Sequence, residues 1–418
     1  LEAIVWRNRN FDFMVASLFI SRAGDTFTFL ALAIQVDSLF DDPTKSAGAL
    51  AAVLMAFALP QVVFGLFAGT LVDRWDRRRT MVAADLARAA LIPGFLLLRT
   101  PADIPWAMAL AFATSSFGSF FYPARTALLP ALVKQDDLMQ ANSWMQVGET
   151  FSRLLGPVLA GVVIGAFGSR AAFLVDSASF IGSALFLAAI HGVKTREDVV
   201  STEGLLSAVN DLKSGVRYAL GSRLLQGITL GLVLALLGIG GVDVLIVPFT
   251  RYAFHAAPEA LGLLMTAQGV GMVAGGLLTS ALARKVRPLT ISVTSMLVLC
   301  VVVAAFGMAP TYLVGLLLIP WAGLTLAPLN ASLQTMLQQG VPSHMLGRAG
   351  ALTEVASTLA QLASMGGAGG LAGLVGLRPT FVLGGSLLGI GALVMGGLLR
   401  NEAPLPMASV SVDVPVGD

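Results

Sequence analysis

Cysteine, histidine and charge are all scarce in this chain, and each scarcity removes a class of function. The one cysteine, Cys300, sits inside an apolar run, which excludes an intramolecular disulfide and leaves nothing for a cysteine metal site. The three histidines, His191, His255 and His344, are scattered and form no ligand cluster, so no metal is expected. Charged residues make up 12% of the 418, about half the soluble average. No Walker lysine loop, Gly-x-Ser-x-Gly elbow or His-Glu-x-x-His occurs, which argues against ATP drive, hydrolysis and any cofactor. Gly269-Val-Gly271-Met-Val-Ala274-Gly275 has the letters of a dinucleotide fingerprint, but no strand precedes it, so it reads as helix-packing glycine.

What fills the space is apolar. Hydrophobic residues are 56% of the chain and 45 residues are glycine, a balance that suits helices in a bilayer and leaves a soluble fold with too little polar surface. Runs of about 20 apolar residues, the length that crosses the hydrocarbon, recur at 12–39, 47–72, 80–99, 105–129, 139–168 and 170–192. They resume at 223–250, 259–282, 288–308, 311–335, 346–375 and 378–400. The expected fold is therefore an all-α integral membrane protein with twelve transmembrane helices in two six-helix bundles. Residues 1–192 make the first bundle, 193–222 a partly helical cytoplasmic linker, 223–400 the second bundle, and 401–418 a disordered tail. The first run has no small-residue cleavage site behind it and reads as a retained span.

Orientation follows from the basic residues. Seventeen of the 26 lysines and arginines fall in or beside segments on the side of the N-terminus, against five in the opposite loops: Lys45, Arg99, Arg170, Arg251 and Arg378. That bias places both termini in the cytoplasm of a multi-pass protein of the cell's inner (plasma) membrane. The halves also repeat. Gly376-Leu-Arg378-Pro-Thr-Phe381 follows Gly168-Ser-Arg170-Ala-Ala-Phe173 at an offset of 208, and Gly276 with Arg284 and Lys285 follows the Gly69 turn at 207.

That turn, Gly69-Thr-Leu-Val-Asp73-Arg74-Trp75-Asp76-Arg77-Arg78-Arg79, lies between two spans with no residues to spare. It is too short to argue for nucleic acid. It resembles the G-x-x-x-D-R-x-G-R-R loop of major facilitator superfamily transporters, with Gly69, Asp73, Arg74, Arg77 and Arg78 on the pattern and Asp76 where that family has glycine. Phe120-Phe-Tyr-Pro123-Ala-Arg125, the Leu138-Met-Gln-Ala141-Asn142 segment and Gly156-Pro157-x-x-x-Gly161 look like the drug/proton antiporter branch that holds macrolide and siderophore exporters. The resemblance implies a monomeric secondary transporter that exports an amphipathic small molecule in exchange for protons. A lipid or lysolipid flippase of the same fold stays open, and so, further off, does a non-transporting receptor or scaffold.

Ionisable groups at depth are costly and are usually functional or paired. Asp73, Arg74, Arg77, Arg78, Asp85, Arg88 and Arg125 are expected to lock an inner gate or, equally, to anchor topology. Arg22 with Asp25, and Glu149 with Arg153, are spaced as same-helix pairs, either inert salt bridges or carboxylates that trade arginine for a proton. Asp243 and Glu354 have no local partner and suit a cationic substrate or a proton, with Asp243 capping against Arg251 as the alternative. Asp176 is expected near the outer surface. Phe27, Phe117, Phe121, Met145 and Trp321 are among the candidates for an apolar pocket lining.

Overall fold

The side-chain carbonyl of Asn8 accepts from the backbone N–H groups of Asn10 and Phe11 and so starts α1, Arg9–Ser38. In the computed structural model, which describes residues 8–72, 75–192, 217, 220–257, 259–282 and 285–400, eleven more long helices follow. They are α2 (Pro43–Val72), α3 (Arg77–Leu91, continued as a 3-10 turn to Leu97), α4 (Ile104–Leu132), α5 (Leu138–Phe167) and α6 (Ser169–Ala188). The second half supplies α7 (Arg223–Pro248), α8 (Glu259–Leu282), α9 (Pro288–Met308), α10 (Tyr312–Gly340), α11 (Ser343–Val375) and α12 (Leu377–Leu399). Ten of these segments are long and apolar enough to cross a membrane. The remaining two, α5 and α11, are 30 and 33 residues long and carry Glu149 and Glu354. The expected linker helix and the tail, 401–418, lie outside the described residues.

Contacts between helices repeat with a shift of six. In the first half α1 packs on α5 and α6, α2 on α4, and α3 on α4 and α6; in the second, α7 packs on α11 and α12, α8 on α10, and α9 on α10 and α12. The seam between halves obeys the same rule, since α2 meets α11 and α8 meets α5. Gly168 and Gly376, the repeated glycines, both stand at positive φ, 79° and 91°, each turning the chain directly from one helix into the next. The phenylalanines that follow pack alike: Phe173 stacks on Phe95 at 5.5 Å and Phe381 lies 5.7 Å from Phe306.

The face that carries Arg77 to Arg79, Lys285 and Arg287 is the basic face. Asp76, where the motif has glycine, serves here as the cap of α3: its carboxylate accepts from the backbone N–H of Arg79 at 2.7 Å. Arg78 donates to the carbonyls of Ala188 and Ile190 and closes the C-terminus of α6, where a cation is favoured.

Packing differs between the two faces. One apolar core runs through both halves, in the second half along the helices as far as Met336 and Leu399, and across the seam Ile164 of α5, Leu261 and Leu264 of α8, Ala47 to Ala56 of α2, and Met365 to Ala372 of α11 share it. Toward the basic face the first half keeps a separate core built on Phe11, Met14, Met81, Leu128 and Leu132. Backbones approach closely only at small residues. A Cβ on Gly161 of α5 would stand 3.1 Å from Gly262 Cα on α8, and one on Gly369 of α11 would stand 2.9 Å from Gly48 N on α2. The seam is thus tight on the face opposite the arginines.

Candidate functional site

At mid-length of the first half, three acids and two arginines gather where α1, α3 and α6 meet. Asp85 and Arg88 share a face of α3 and form a buried ion pair, with Ser183 of α6 donating to the other Asp85 oxygen at 2.5 Å. The Arg88 guanidinium lies 4.0 Å from the Phe180 ring and 5.1 Å from that of Phe121, so its flat faces are covered by aromatic carbon. It also reaches Asp25 of α1 at 3.7 Å, while Arg22 stands 3.4 Å from the same carboxylate. Asp25 keeps 40% of its side-chain surface open, whereas Arg88 and Asp85 keep 6% and none. The cluster is buried on the side of Asp85 and Arg88 and open on the side of Asp25 and Arg22.

Asp176 completes it, and its position corrects the expectation of an outer-surface residue. The side chain is fully buried within electrostatic reach of Asp25 and Arg88, and its Oδ1 accepts from Ser179 at 3.1 Å. Its Oδ2 makes no hydrogen bond among the described residues. Gly24 makes this possible, because a Cβ there would collide with both Asp176 and Ser179. The glycine one residue before Asp25 was the sequence signal for a close neighbour.

Three more expectations change. Asp85 and Arg88 lie in this cluster with Asp25 of α1. Arg125 of α4 bonds Glu149 of α5 at 2.5 Å, so the acid is paired across helices as well as candidate-paired along its own; the Arg153 side chain lies outside the described residues. Asp73 and Arg74 do too, and Gly69 ends up in the last turn of α2. Phe27, Phe121 and Met145 are packed in the cores rather than along a pocket, while Phe117 and Trp321 are exposed.

Asp243 does not cap against Arg251. Pro248 near the end of α7 opens the helix into a wide π turn, Phe249–Ala253, which carries Arg251 across the seam. There it donates to Asp37 Oδ2 at 3.0 Å, to the Asp37 carbonyl at 2.7 Å and to the Phe40 carbonyl at 3.2 Å, and Tyr252 donates to Phe40 as well. Ser46 of α2 holds the other oxygen of Asp37. This latch joins the two halves at the face opposite the arginine turn, above a cavity of about 190 Å³ lined by Ile34, Val247, Ala257 and Leu261. Sequence reasoning passed over Asp37 because it ends the first span among other acids. Replacing Arg251 with alanine should raise the reaction of a Leu261→Cys probe, at a cavity-lining position buried behind the latch, with an impermeant maleimide several-fold; unchanged labelling would show that the latch holds nothing shut.

Asp243 itself is exposed and stands on α7 beside Gln361 of α11. Glu354 is exposed as well and precedes Gln361 by seven residues, two turns along the same face of α11. Gly156 and Gly161 of the helix-five motif divide their work around Pro157: the first receives Thr26 of α1, the second receives Gly262 of α8. No group of three potential metal ligands occurs among the described residues.

Comparison with known proteins agrees with this geometry. The profile of the transmembrane secretion effector family of MFS transporters matches residues 7–411. The uncharacterized MFS-type transporter YfiS of Bacillus subtilis is 27% identical over 377 residues, covering 86% of each chain. Macrolide efflux protein A of Streptococcus pyogenes is 22% identical over 92% of this chain and 96% of its own, and the enterobactin exporter EntS of Citrobacter koseri is 27% identical over 82% and 75%. Among solved structures, a bacterial homologue of the iron transporter ferroportin in its inward-facing state superposes with a TM-score of 0.73 at 15% identity, covering 95% and 99% of the two chains. A bacterial homologue of the lysosomal transporter Spinster, inward-facing and unoccupied, also reaches 0.73, at 12% identity, covering 94% and 97%.

Proposed function

The chain belongs to the transmembrane secretion effector family, a family of major facilitator transporters, and on that premise we propose that it exports an amphipathic small molecule in exchange for protons. The two halves, 1–192 and 223–400, rock about the seam of α2 with α11 and α5 with α8, exposing a central cleft to each side in turn. The basic face is cytoplasmic, by the excess of lysine and arginine there. The protein works as a monomer in the plasma membrane. With the opposite face sealed by Arg251 and the glycine contacts, the molecule stands ready to load from the cytoplasm. The arginine turn, including Asp73 and Arg74, closes the cytoplasmic side in the other state.

The observation that carries proton exchange is the loose, half-open pairing of Asp25. Its arginines stand at 3.4 and 3.7 Å, while the neighbouring Asp85–Arg88 pair is tight and dry. A carboxylate that is drawn away from a cation in a poorly polarisable setting gains affinity for a proton, and it gives the proton up when the cation returns. A rocking motion that moves α1 against α3 by an ångström or two supplies that alternation. The relatives named for macrolide efflux and enterobactin export support the outward direction.

Proteoliposomes test this directly. An imposed pH gradient should drive accumulation of a fluorescent amphiphile, and Asp25→Asn should cut that accumulation by about tenfold or more while substrate exchange without a gradient persists. A gradient that leaves the wild-type protein indifferent would remove the antiport claim. Movement of lysolipid, independent of pH, would shift the reading to a flippase.

A further inference from the structure

Three acids and two arginines leave the cluster of α1, α3 and α6 one positive charge short. Arg88 answers Asp85 in the buried pair, and Arg22, with Arg88 at the longer distance, answers the open carboxylate of Asp25. Asp176 is the acid left over. Among the described residues no ion pair reaches it, and its side chain is sealed from water.

Two buried oxygens at this place lack the hydrogen bond that burial demands: Asp176 Oδ2 and the hydroxyl of Thr28 on α1. Thr28 stands beside the Asp176 carboxylate. One hydrogen on Oδ2, donated to Thr28 Oγ1, satisfies both atoms at once and supplies the missing charge as well. Oδ1 keeps the Ser179 hydroxyl at 3.1 Å. A metal ion fits poorly, because a Cβ at Gly24 would already collide with Asp176 and Ser179, whereas a proton takes no room.

We propose, on the antiport reading above, that Asp176 is where the exchanged proton waits and that Asp25 is the port through which it leaves, with Thr28 between them. Asp25 and Thr28 are three residues apart and share a face of α1. The Asp176 O–H bond breaks toward Thr28, whose own hydrogen passes to the Asp25 carboxylate. One O–H is lost, one is gained, and the hydroxyl is restored. Asp176 keeps the electron pair as a carboxylate, and Arg88, within its electrostatic reach, turns from Asp25 to meet it. Asp25, freed of that arginine and 40% open, gives the proton to the water of the cleft. The other charges on helices packed against α6 are engaged elsewhere, Asp85 by Arg88 and Ser183, and Glu149 of α5 by Arg125. A proton sealed at Asp176 does not leak to either side, so the cleft can await its cargo without dissipating the gradient.

Infrared spectra of the purified protein in detergent read this proton without a gradient or a cargo. At neutral pH the wild type should show the carbonyl stretch of a protonated carboxylic acid. Asp176→Asn should remove that band, and Thr28→Val should move it to higher frequency by deleting its hydrogen bond. No band in the wild type, or a band that either variant leaves where it was, overturns the proposal. Thr28→Val keeps the shape of the side chain, so a misfolded Asp176→Asn protein does not spare the proposal.

In proteoliposomes Asp176→Asn should cut pH-driven accumulation of the fluorescent amphiphile by about tenfold relative to exchange without a gradient. Asparagine copies the shape and the hydrogen bonds of the neutral acid, so a purely structural Asp176 would lose nothing, and an unchanged ratio overturns the relay. A wild type that shows the band and ignores the gradient sinks antiport and leaves the acid's proton standing. One that answers the gradient without the band sinks the store and leaves antiport standing.

Discussion

Replacing Arg88 with leucine is expected to cost this protein about 3–5 kcal/mol, the usual result of removing one member of a buried ion pair. Asp85 keeps no exposed surface, so the substitution strands an anion with only Ser183 to solvate it. Asp25 loses one of its two cations, and Asp176 loses the guanidinium in its electrostatic reach. The rings of Phe180 and Phe121 lose the cation that fills the space between them. Lysine should not restore the site, because an ammonium cannot serve two carboxylates and two ring faces at once. Thermal unfolding in detergent should show a midpoint lower by more than about 5 °C. Adding Asp85→Asn should return much of the loss, since the stranded charge goes with it. A double variant no better than the single one would mean that Arg88 stabilises through packing alone.

Leucine at Gly161 is expected to abolish transport, by about a hundredfold, while leaving the protein folded. A bare Cβ there would already stand 3.1 Å from Gly262 Cα, and three further carbons have no room beside α8. The bundles can then meet at this face only if they shift apart. In the alternate state, where this face opens, the side chain has space. The substitution thus acts as a wedge that favours one state, and its signature is a Thr250→Cys probe, buried in the closed structure, that becomes permanently reactive from the face opposite the arginines. Cys300 must be replaced first in that experiment, since it is the one native thiol. A variant that transports normally would show that Gly161 serves only to pack a static helix pair.

How far the sequence carried depends on which side chains lie on one helix. Twelve helices were legible because each crossing needs its own length of apolar residues, and the Gly168 and Gly376 turns were legible as a repeat. Asp85 and Arg88 were found as a pair because three residues of helix place them on one face. The same rule pointed Glu149 at Arg153, and there it was incomplete: Arg125 bonds Glu149 from α4, and no spacing along α5 reports the rotation of a neighbour. Asp176 was misplaced for the same reason. Its depth was read from α6 alone, whereas its burial comes from α1 and from the missing Cβ at Gly24. Arg251 offered two acids, Asp243 along the helix and Asp37 in the other half. The π turn after Pro248, which no letter pattern announces, decided for Asp37.

The Asp37 carboxylate is shared: Ser46 binds one oxygen and Arg251 the other, so the end of α1, the start of α2 and the π turn after α7 are tied through a single atom group. A knot of this kind has no half-undone form, because a guanidinium that leaves the carboxylate leaves the two carbonyls beside it as well. Opening toward that side should accordingly behave as a toggle with two settings rather than a hinge with many. Salt in the surrounding medium, which weakens attraction between accessible charges, becomes a dial on how often the toggle flips.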